Sequence, residues 1–290
     1  MASRARRLPA NADGEFFVDD GCIDCGACRW IAPATFGPHR GLSRVHRQPA
    51  TAEEHARALK ALIACPVAAI GTASRQDPPP DPGIFPDRIA GDVYYCGYHS
   101  PASYGAASWL IVRPQGNVLI DSPRFARPLA DQIAALGGIK WMFLTHRDDV
   151  ADHAKFRARF GCERVMHAAD LGWNIGAVER PIEGRDPALL DDDLLLIPVP
   201  GHTRGSTVLL YRDRFLFTGD HMWFDRADGT IGASRAVCWY DWDELVASMA
   251  RLAAYRFEWV LPGHGDPGHL PADKMRAAIR SWVAAARKAA

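Results

Sequence analysis

The sequence lacks any uninterrupted apolar run long enough to cross a membrane, because charged residues or prolines break every candidate stretch. It also lacks an excess of charge of either sign, since Lys+Arg and Asp+Glu both total 34 and the formal net charge is zero. We therefore expect neither a membrane span nor a basic nucleic-acid-binding surface. The Arg-rich beginning has no apolar segment of the kind that a secretory signal needs.

Disulfide bonds are not expected either, although the chain has seven cysteines. The number is odd, and four of the cysteines are spaced like ligands of a metal or a cluster. This usage favours a reducing compartment, and we expect a cytoplasmic protein. The hydrophobic fraction of 48% and the charged fraction of 23% are ordinary for a globular chain, and 290 residues allow a small domain and a large one.

A stretch rich in Pro, Gly and Asp separates two unlike parts of the chain. Residues 71–88, GTASRQDPPPDPGIFPDR, cannot continue a helix or a central strand. We predict a cysteine-bearing domain over residues 1–75, a stiff linker over 76–88 and a histidine-bearing domain over 89–290. In the last domain, strand-like runs alternate with amphipathic helical segments, which predicts an α/β architecture.

Three cysteines near the start of the chain are spaced C-x2-C-x2-C. They are Cys22, Cys25 and Cys28, and Gly26 between them allows a tight turn of the backbone. A further cysteine, Cys65, is followed by a proline far along the segment. Three thiolates in one run favour an iron–sulfur cluster over structural zinc, whose cysteines usually come as two separated pairs.

This segment resembles a ferredoxin with a single [4Fe–4S] cluster. In two-cluster bacterial ferredoxins the run continues to a fourth cysteine before a proline, and that cysteine ligates the second cluster. Here Ala32 stands at this position ahead of Pro33. The resemblance covers residues 14–72 and implies a small α+β domain that passes single electrons, with a purely structural cluster as the alternative. The cluster ligands that it implies are Cys22, Cys25, Cys28 and Cys65.

Four stretches of the second part place His or Asp at a turn directly after an apolar strand. They are THRDDVADH (145–153), VPGHTRGS (199–206), FTGDHMW (217–223) and LPGHGD (261–266). Side chains at strand ends in α/β layers meet at one edge of the sheet. Histidine and carboxylate side chains in such a crevice are typical ligands of divalent metals.

In order and spacing, these motifs resemble the metallo-β-lactamase fold, an αββα sandwich, over residues 90–290. That family carries T-H-x-H-x-D-H, then G-H-T-x-G-S, then G-D, then G-H. The resemblance implies a metal-dependent enzyme with two divalent metal ions and an attacking hydroxide, in which Asp220 bridges the metals and acts with Asp152 in catalysis. The metal ligands that it implies are His146, Asp152, His153, His202, Asp220 and His264.

The first motif departs from the family pattern in two ways. Asp148 stands where the hydrolases have a second histidine, and we count it as a metal ligand. The pair of Asp152 and His153 lies two residues further from His146 than in the pattern, so Asp149 is an alternative ligand. We expect Asp148 and Asp152 to lie within reach of a metal and Asp149 to turn away.

The carboxylate of Asp148 makes the site harder and shifts its preference from zinc toward iron or manganese. Flavodiiron proteins, which share the fold, also carry a carboxylate there and reduce dioxygen or nitric oxide with electrons from a redox domain. Three functions stay open: a metal-dependent hydrolase of thioesters or lactones, the commonest class in the family; a diiron oxidoreductase fed by the cluster; and a non-catalytic metal- or redox-sensing module. The partners expected are a small-molecule substrate and, for the redox enzyme, an external electron donor.

The remaining candidates have structural interpretations. His99, His167 and His221 are expected to be hydrogen-bonded residues of the core or of the surroundings of the site, not metal ligands. Trp223 and Trp239 are placed to border a pocket. The other cysteines have no ligand spacing and are expected to be buried thiols: Cys96, Cys162 and Cys238.

Overall fold

The structure is a computed structural model that describes residues 2–74, 82–172 and 175–288. Residues 76–81 of the predicted linker lie outside the described residues. The chain divides into two compact units. The N-terminal unit comprises Met1–Val118, Ser122–Ile139 and Ala151–Phe160, and the C-terminal unit comprises Leu119–Asp121, Lys140–Val150 and Gly161–Ala290. The domain boundaries that we drew around the Pro-rich stretch stay predictions.

The helices of the described residues are α1 Ala27–Ile31, α2 Ala52–Ala64, α3 Arg127–Ala135, α4 His153–Phe160, α5 Trp242–Leu252 and α6 Ala272–Lys288. The strands of the first part are β1 Phe16–Val18, β2 Phe36–His39, β3 Leu42–Val45, β4 Ile70–Thr72, β5 Asp87–Ala90, β6 Val93–Tyr95 and β7 Trp109–Ile111. They are followed by β8 Val118–Ile120, β9 Trp141–Phe143, β10 Glu163–His167, β11 Arg180–Ile182, β12 Ala188–Asp191, β13 Leu194–Pro198, β14 Thr207–Tyr211, β15 Phe215–Gly219, β16 Trp223–Asp225, β17 Thr230–Gly232, β18 Trp259–Pro262 and β19 Gly268–His269.

The cysteine-bearing segment is a small α+β structure built from two strand pairs and two helices. Strand β1 pairs antiparallel with β4, and β2 forms a hairpin with β3. The buried side chain of Asn11 joins them, because its amide oxygen accepts hydrogen bonds from the backbone N–H groups of Val18 and Val45. Helix α2 begins at a threonine cap, since the hydroxyl of Thr51 accepts from the N–H of Glu54 at 3.1 Å.

An aromatic cluster joins this segment to β5, β6 and β7, which pair antiparallel within the same unit. Trp30 of α1 packs edge-on against Tyr95 of β6, with ring centroids 4.7 Å apart, and stacks on Trp109 of β7 at 6.4 Å. Phe85 packs edge-on against Tyr95 from another side at 5.4 Å. All four side chains are buried, so the cysteine-bearing segment and the first strands of the second part share one core.

The C-terminal unit contains β8, β9, β10 and β11 as neighbours in that order and a six-stranded sheet in the order β12-β13-β14-β15-β18-β19. Helices α5 and α6 pack together over the six-stranded sheet, with Leu245, Met249 and Ile279 in the shared core. The alternation of strands and helices that we predicted for the second part is observed. Within the described part of the chain, no helix is long and apolar enough to cross a membrane.

Candidate metal and cluster sites

The four predicted cluster cysteines line one pocket in the N-terminal unit. Cys22 and Cys25 lie in the loop before α1, Cys28 lies in α1, and Cys65 ends α2. Gly26 has a φ of +79°, the left-handed conformation that lets the loop wrap around the pocket. The other side chains that line the pocket are mostly apolar. The sequence prediction therefore matches the arrangement of the four thiols.

The chemistry of this pocket fits an iron–sulfur cluster. Burial, together with the charges of the neighbouring thiols, raises the pKa of Cys25 to about 11 and that of Cys28 to about 12. Thiolates crowded in this way need a positively charged centre between them, which cluster irons supply. Backbone N–H groups already point at two of the sulfurs, from Ser43 to Cys22 at 3.4 Å and from Ala69 to Cys65 at 3.3 Å.

A loop that follows β6 lies against the same pocket. Gly105 in this loop is so close to Cys25 that a β-carbon at Gly105 would lie 2.7 Å from the Cys25 Cβ. The buried imidazole of His99 holds the loop, since its two ring nitrogens bond the hydroxyl of Tyr95 and the carbonyl of Gly105. The N–H of His99 also donates to the carbonyl of Ala64, next to the cluster cysteine of α2. His99 is therefore a structural, hydrogen-bonded residue, as predicted.

In the C-terminal unit, two overlapping groups of side chains have the geometry of a metal site. The first group is His146, Asp148 and His202, and the second is His146, Asp149 and Asp220. The Oδ2 atom of Asp148 lies 3.4 Å from His202 Nε2 and 3.8 Å from His146 Nε2. The Oδ2 atom of Asp220 lies 3.7 Å and 3.8 Å from the same two nitrogens. Ligand atoms about 2.0–2.2 Å from one metal are about 3–3.6 Å apart, so these separations are close to those of a coordination shell.

His146 is oriented by a hydrogen-bond chain that starts at the end of β8. The carboxylate of Asp121 accepts bonds from the N–H and the hydroxyl of Thr145, at 2.8 Å and 2.9 Å. Because that hydroxyl donates its only proton to Asp121, it can only accept from the Nδ1–H of His146, which lies 3.0 Å away. The lone pair of His146 is then on Nε2, the nitrogen that faces Asp148 and Asp220. Burial raises the pKa of Asp121 to about 8.

His202 lies in a turn after β13 that two contacts hold in place. Gly201, with a φ of +153°, packs so closely on α5 that a β-carbon there would overlap the backbone of Leu245. On the other side, the buried carboxylate of Asp170 accepts bonds from the hydroxyl of Thr203 and from the N–H of Gly205, at 2.5 Å and 2.8 Å. Asp170 and Asp121 thus position ligands, and we did not predict either. Asp121 carried the signal used for the other motifs, an aspartate directly after an apolar strand.

Asp220 follows β15 and lies between the two groups of ligands. Its two oxygens are 2.9 Å and 3.0 Å from Nδ1 of His264, in the turn after β18. A carboxylate can only accept, so Nδ1 of His264 donates and its metal-binding nitrogen is Nε2. Burial of Asp220 opposes ionisation, but the combined attraction of His264, His146 and His202 lowers the pKa of Asp220 below its usual value. The bridging role that we expected of Asp220 stays a prediction.

The observation that most strongly indicates a metal is a set of buried nitrogen and oxygen atoms that lack a hydrogen-bond partner among the described residues. Within the described residues, no hydrogen-bond partner exists for Nε2 of His146, Nε2 of His202, Oδ2 of Asp148 or either carboxylate oxygen of Asp149. Buried polar atoms left in this state are strongly destabilising, and a cation between them removes the cost. The residues present therefore fit a divalent metal.

Asp149 belongs to this set, and our expectation that it turns away is wrong. Gly263 makes room for it, because a β-carbon at Gly263 would overlap Oδ2 of Asp149 and lie 2.8 Å from Oδ1 of Asp220. Burial, and then the carboxylates of Asp220, Asp121 and Asp148, raise the pKa of Asp149 well above its ordinary value. A bound cation would offset both the burial of the Asp149 carboxylate and its repulsion by the neighbouring carboxylates. A carboxylate can therefore be accommodated at this position.

Asp152 is engaged elsewhere. Its Oδ2 accepts from the N–H of Phe125 at 2.7 Å and its Oδ1 pairs with Lys155 at 2.8 Å, all within the N-terminal unit. Although burial opposes it, these bonds hold the pKa of Asp152 below its usual value. Neither group of metal-binding side chains includes Asp152 or His153, the buried first residue of α4. The physical reason is that the turn after β9 brings Asp149 inward, four residues before α4 begins at His153.

Two other predictions concern isolated side chains. His167 is hydrogen-bonded as expected, with Nε2 2.9 Å from the carbonyl of Gly184 and Nδ1 accepting from Ala169. His221 is fully buried, but within the described residues neither ring nitrogen has a hydrogen-bond partner, contrary to expectation. Burial lowers the pKa of His221 to about 3, so the ring is neutral.

Cys96 and Cys162 are buried as predicted, whereas Cys238 is only partly buried.

Comparisons with known proteins agree with both halves of this description. Residues 18–72 match the protein family described as the 4Fe-4S single cluster domain of ferredoxin I. A curated hydroxyacylglutathione hydrolase of Acidiphilium cryptum (strain JF-5) is 29% identical over 117 residues, which are 39% of this chain and 47% of that protein. The match thus spans about half the length of this relative.

Solved structures show the fold of the larger part. The DIM-1 metallo-β-lactamase superposes with a TM-score of 0.54 at 15% identity, over 70% of this chain and 97% of that one. The mono-zinc form of the FIM-1 metallo-β-lactamase of Pseudomonas aeruginosa gives 0.51 at 16% identity, over 69% and 94%. The chain therefore has the predicted fold class, an α/β metallo-β-lactamase fold preceded by a small ferredoxin-like domain of the kind that holds one [4Fe–4S] cluster.

Proposed function

We propose that the protein is a metal-dependent hydrolase with two divalent metal ions in its metallo-β-lactamase fold and one [4Fe–4S] cluster in its N-terminal domain. The observation that carries the proposal is the set of five buried, unpartnered ligand atoms on His146, His202, Asp148 and Asp149. In the proposed arrangement His146, Asp148, Asp149, His202, Asp220 and His264 would hold the metals.

Metals in such a site supply Lewis acidity, which activates water and polarises a carbonyl group. The chain's own residues supply orientation. Asp121 and Thr145 fix the tautomer of His146, and Asp170 fixes the turn that carries His202. Asp148, whose side chain is 41% exposed, marks the side on which the ligand group opens to solvent. A substrate carbonyl approaching from this side would meet the ligand group directly.

We further propose a thioester or lactone as the substrate class. The support is the sequence similarity to a protein named as a hydroxyacylglutathione hydrolase, together with the carboxylate and imidazole donors of the site. The test is an assay of anaerobically purified protein, with its metal content measured, against a panel of thioesters and lactones. We expect hydrolysis that a chelator abolishes and that His202→Ala lacks. If metal-filled protein hydrolyses none of them, the proposal is wrong.

The number of carboxylates favours a second candidate, a diiron oxidoreductase that receives electrons from the cluster. Asp148, Asp149 and Asp220 make the ligand group oxygen-rich, and oxygen donors suit iron and manganese better than zinc. Metal analysis separates the two candidates. Zinc beyond the iron of the cluster supports hydrolysis, whereas about two additional irons per chain support the redox enzyme.

A further inference from the structure

An exposed apolar surface lies beside the ligand-bearing turn of the C-terminal unit. Five large hydrophobic side chains are exposed among the described residues, and three of them lie within four positions of one another. These three are Val237, Trp239 and Tyr240, with 42%, 59% and 45% of their surface exposed. Exposed apolar side chains scattered singly need no explanation, but a contiguous group of this kind marks a binding surface.

The backbone holds this surface rigidly. The N–H groups of Trp239 and Tyr240 both donate to the carbonyl of His202, at 2.9 Å and 3.1 Å. The next residue, Asp241, donates to the carbonyl of Gly201 at 3.0 Å, and its side chain caps α5 through the N–H of Glu244 at 2.9 Å. The thiol of Cys238 also donates to the carbonyl of Gly201, at 3.1 Å. The aromatic rings are therefore presented to solvent by a fixed segment.

The same contacts place the surface next to the metal-binding side chains. The ring centroid of Trp239 is 6.3 Å from that of His202, at an interplanar angle of 58°. The same imidazole also faces the partly exposed carboxylate of Asp148, with Nε2 and Oδ2 3.4 Å apart. The indole and the open side of the ligand group are thus both neighbours of one imidazole, and a molecule bound there can reach both.

The side chains of Val237, Trp239 and Tyr240 determine which kind of ligand group can bind to this surface. An indole, a phenol and an isopropyl group offer a broad apolar contact that only an apolar group can use, because a charged group would keep its water shell. We propose that Val237, Trp239 and Tyr240 bind the acyl chain of the substrate. This inference rests on the proposed hydrolase function and narrows its substrate class to thioesters or lactones with medium or long acyl chains.

The experiment compares acyl thioesters that share one thiol and carry acetyl, butyryl, hexanoyl or octanoyl groups. With the wild-type protein, we expect KM to fall by about twofold for each added methylene, as partial burial of the chain implies. Trp239→Ala and Tyr240→Ala should raise KM for the octanoyl substrate toward that for the acetyl substrate, whereas Trp239→Phe should retain most of the dependence. The matched control is Leu189→Ala, which removes an equally exposed apolar side chain on the edge strand β12 and should change nothing.

A second measurement does not depend on turnover. Calorimetric titration of the metal-filled protein with acetate, butyrate, hexanoate and octanoate should show the same dependence of affinity on chain length, and Trp239→Ala should remove it. Equal affinity for all four carboxylates, or a dependence that survives Trp239→Ala and Tyr240→Ala, would overturn the acyl-chain assignment while leaving hydrolysis of short thioesters intact. Absence of hydrolysis with a preserved chain-length dependence of binding would instead overturn the hydrolase proposal alone.

Discussion

Gly105 leaves no room for a side chain beside Cys25, since a β-carbon there would lie 2.7 Å from the Cβ and 3.0 Å from the sulfur of Cys25. Its backbone also has a φ of +85°, which side chains other than hydrogen rarely allow. A residue from the second part of the sequence thus touches a cluster ligand in the first. The contact makes occupancy of the cluster sensitive to a position outside the cysteine-bearing segment.

We expect Gly105→Ala to lower the iron and sulfide content per chain and to speed loss of the cluster, because the new methyl group displaces Cys25. The control is Gly41→Ala, in the turn of the β2–β3 hairpin. Gly41 has a similar φ of +73°, but nothing lies within 4 Å of an added β-carbon. Gly41→Ala should lower the free energy of unfolding by about 1–2 kcal/mol through backbone strain alone. It should keep the full iron and sulfide content. Equal iron contents in the two variants would show that the contact with Cys25 is unimportant.

Removal of the remote cysteine tests the cluster assignment itself. Cys65→Ser should bleach the brown colour or leave a three-iron centre, because one of the four sulfur ligands is lost. Iron and sulfide analysis, with absorption and electron paramagnetic resonance spectra, measures the outcome. Cys238→Ser, which changes a partly buried thiol with no place in the pocket, is the control and should keep the wild-type spectrum. A wild-type spectrum for Cys65→Ser would remove Cys65 from the ligand set.

A pair of neighbouring aspartates tests the assignment of the metal ligands. Asp149→Asn should lose about one metal per chain or weaken its binding by at least about tenfold, since the amide cannot replace a buried carboxylate ligand. Asp152→Asn should keep the metal content, because that carboxylate bonds Phe125 and Lys155. Metal analysis after dialysis against a weak chelator makes the comparison. The reverse result would restore the alignment that the family pattern suggests.

Asp152→Asn should instead lower the free energy of unfolding, by about 1–2 kcal/mol, through loss of its charge-assisted hydrogen bonds. The folded-state pKa of Asp152 lies below its ordinary value, so its contribution is complete above the unfolded pKa of about 3.9. This contribution decreases as pH falls below the unfolded pKa and is lost once pH has fallen through the lower folded pKa. Urea unfolding should therefore give the same difference between variant and wild type at pH 5.5 and pH 8, and a difference that changes across this range would contradict the explanation.

The redox candidate predicts that the two metal centres act together. After anaerobic reduction with dithionite, the protein is mixed with dioxygen or nitric oxide and the cluster absorbance is followed. Coupled action predicts that cluster reoxidation is much slower in His202→Ala and Asp220→Ala, whose metal sites are empty. Equal reoxidation rates in these variants and in the wild type would leave a hydrolase whose cluster is structural.

The positions of the ligands at strand ends could be predicted because each motif follows a buried strand directly. His146, His202 and Asp220 lie where this rule places them, after β9, β13 and β15. The rule failed between His146 and α4, where the turn is two residues longer than the family pattern. Spacing along the chain does not reveal which of several aspartates turns inward. Packing decides it, through the space that Gly263 leaves for Asp149.

The residues that hold the candidate metal ligands in place were harder to predict, because their contacts also depend on tertiary packing. Asp170 is seventeen residues beyond the end of the first motif and acts on a turn far along the sequence, through Thr203 and Gly205. A single aspartate in a loop can have many structural roles, and only the tertiary structure shows which groups donate hydrogen bonds to its carboxylate. Trp239 was expected to border a pocket, but the exposure of Tyr240 was not foreseen, because an aromatic-rich segment before a helix usually belongs to a core.

The packing of Trp30 against Tyr95 and Trp109 limits how the cysteine-bearing segment could be separated from the strands that follow it. If the first seventy or so residues were deleted, the two large rings of β6 and β7 would become solvent-facing. A shorter relative that carries only the part with the metallo-β-lactamase fold should therefore bear smaller or polar residues at the positions of Tyr95 and Trp109. Conversely, if the cysteine-bearing segment were fused to such a relative, it should not pack against the strands unless Tyr95 and Trp109 were introduced as well.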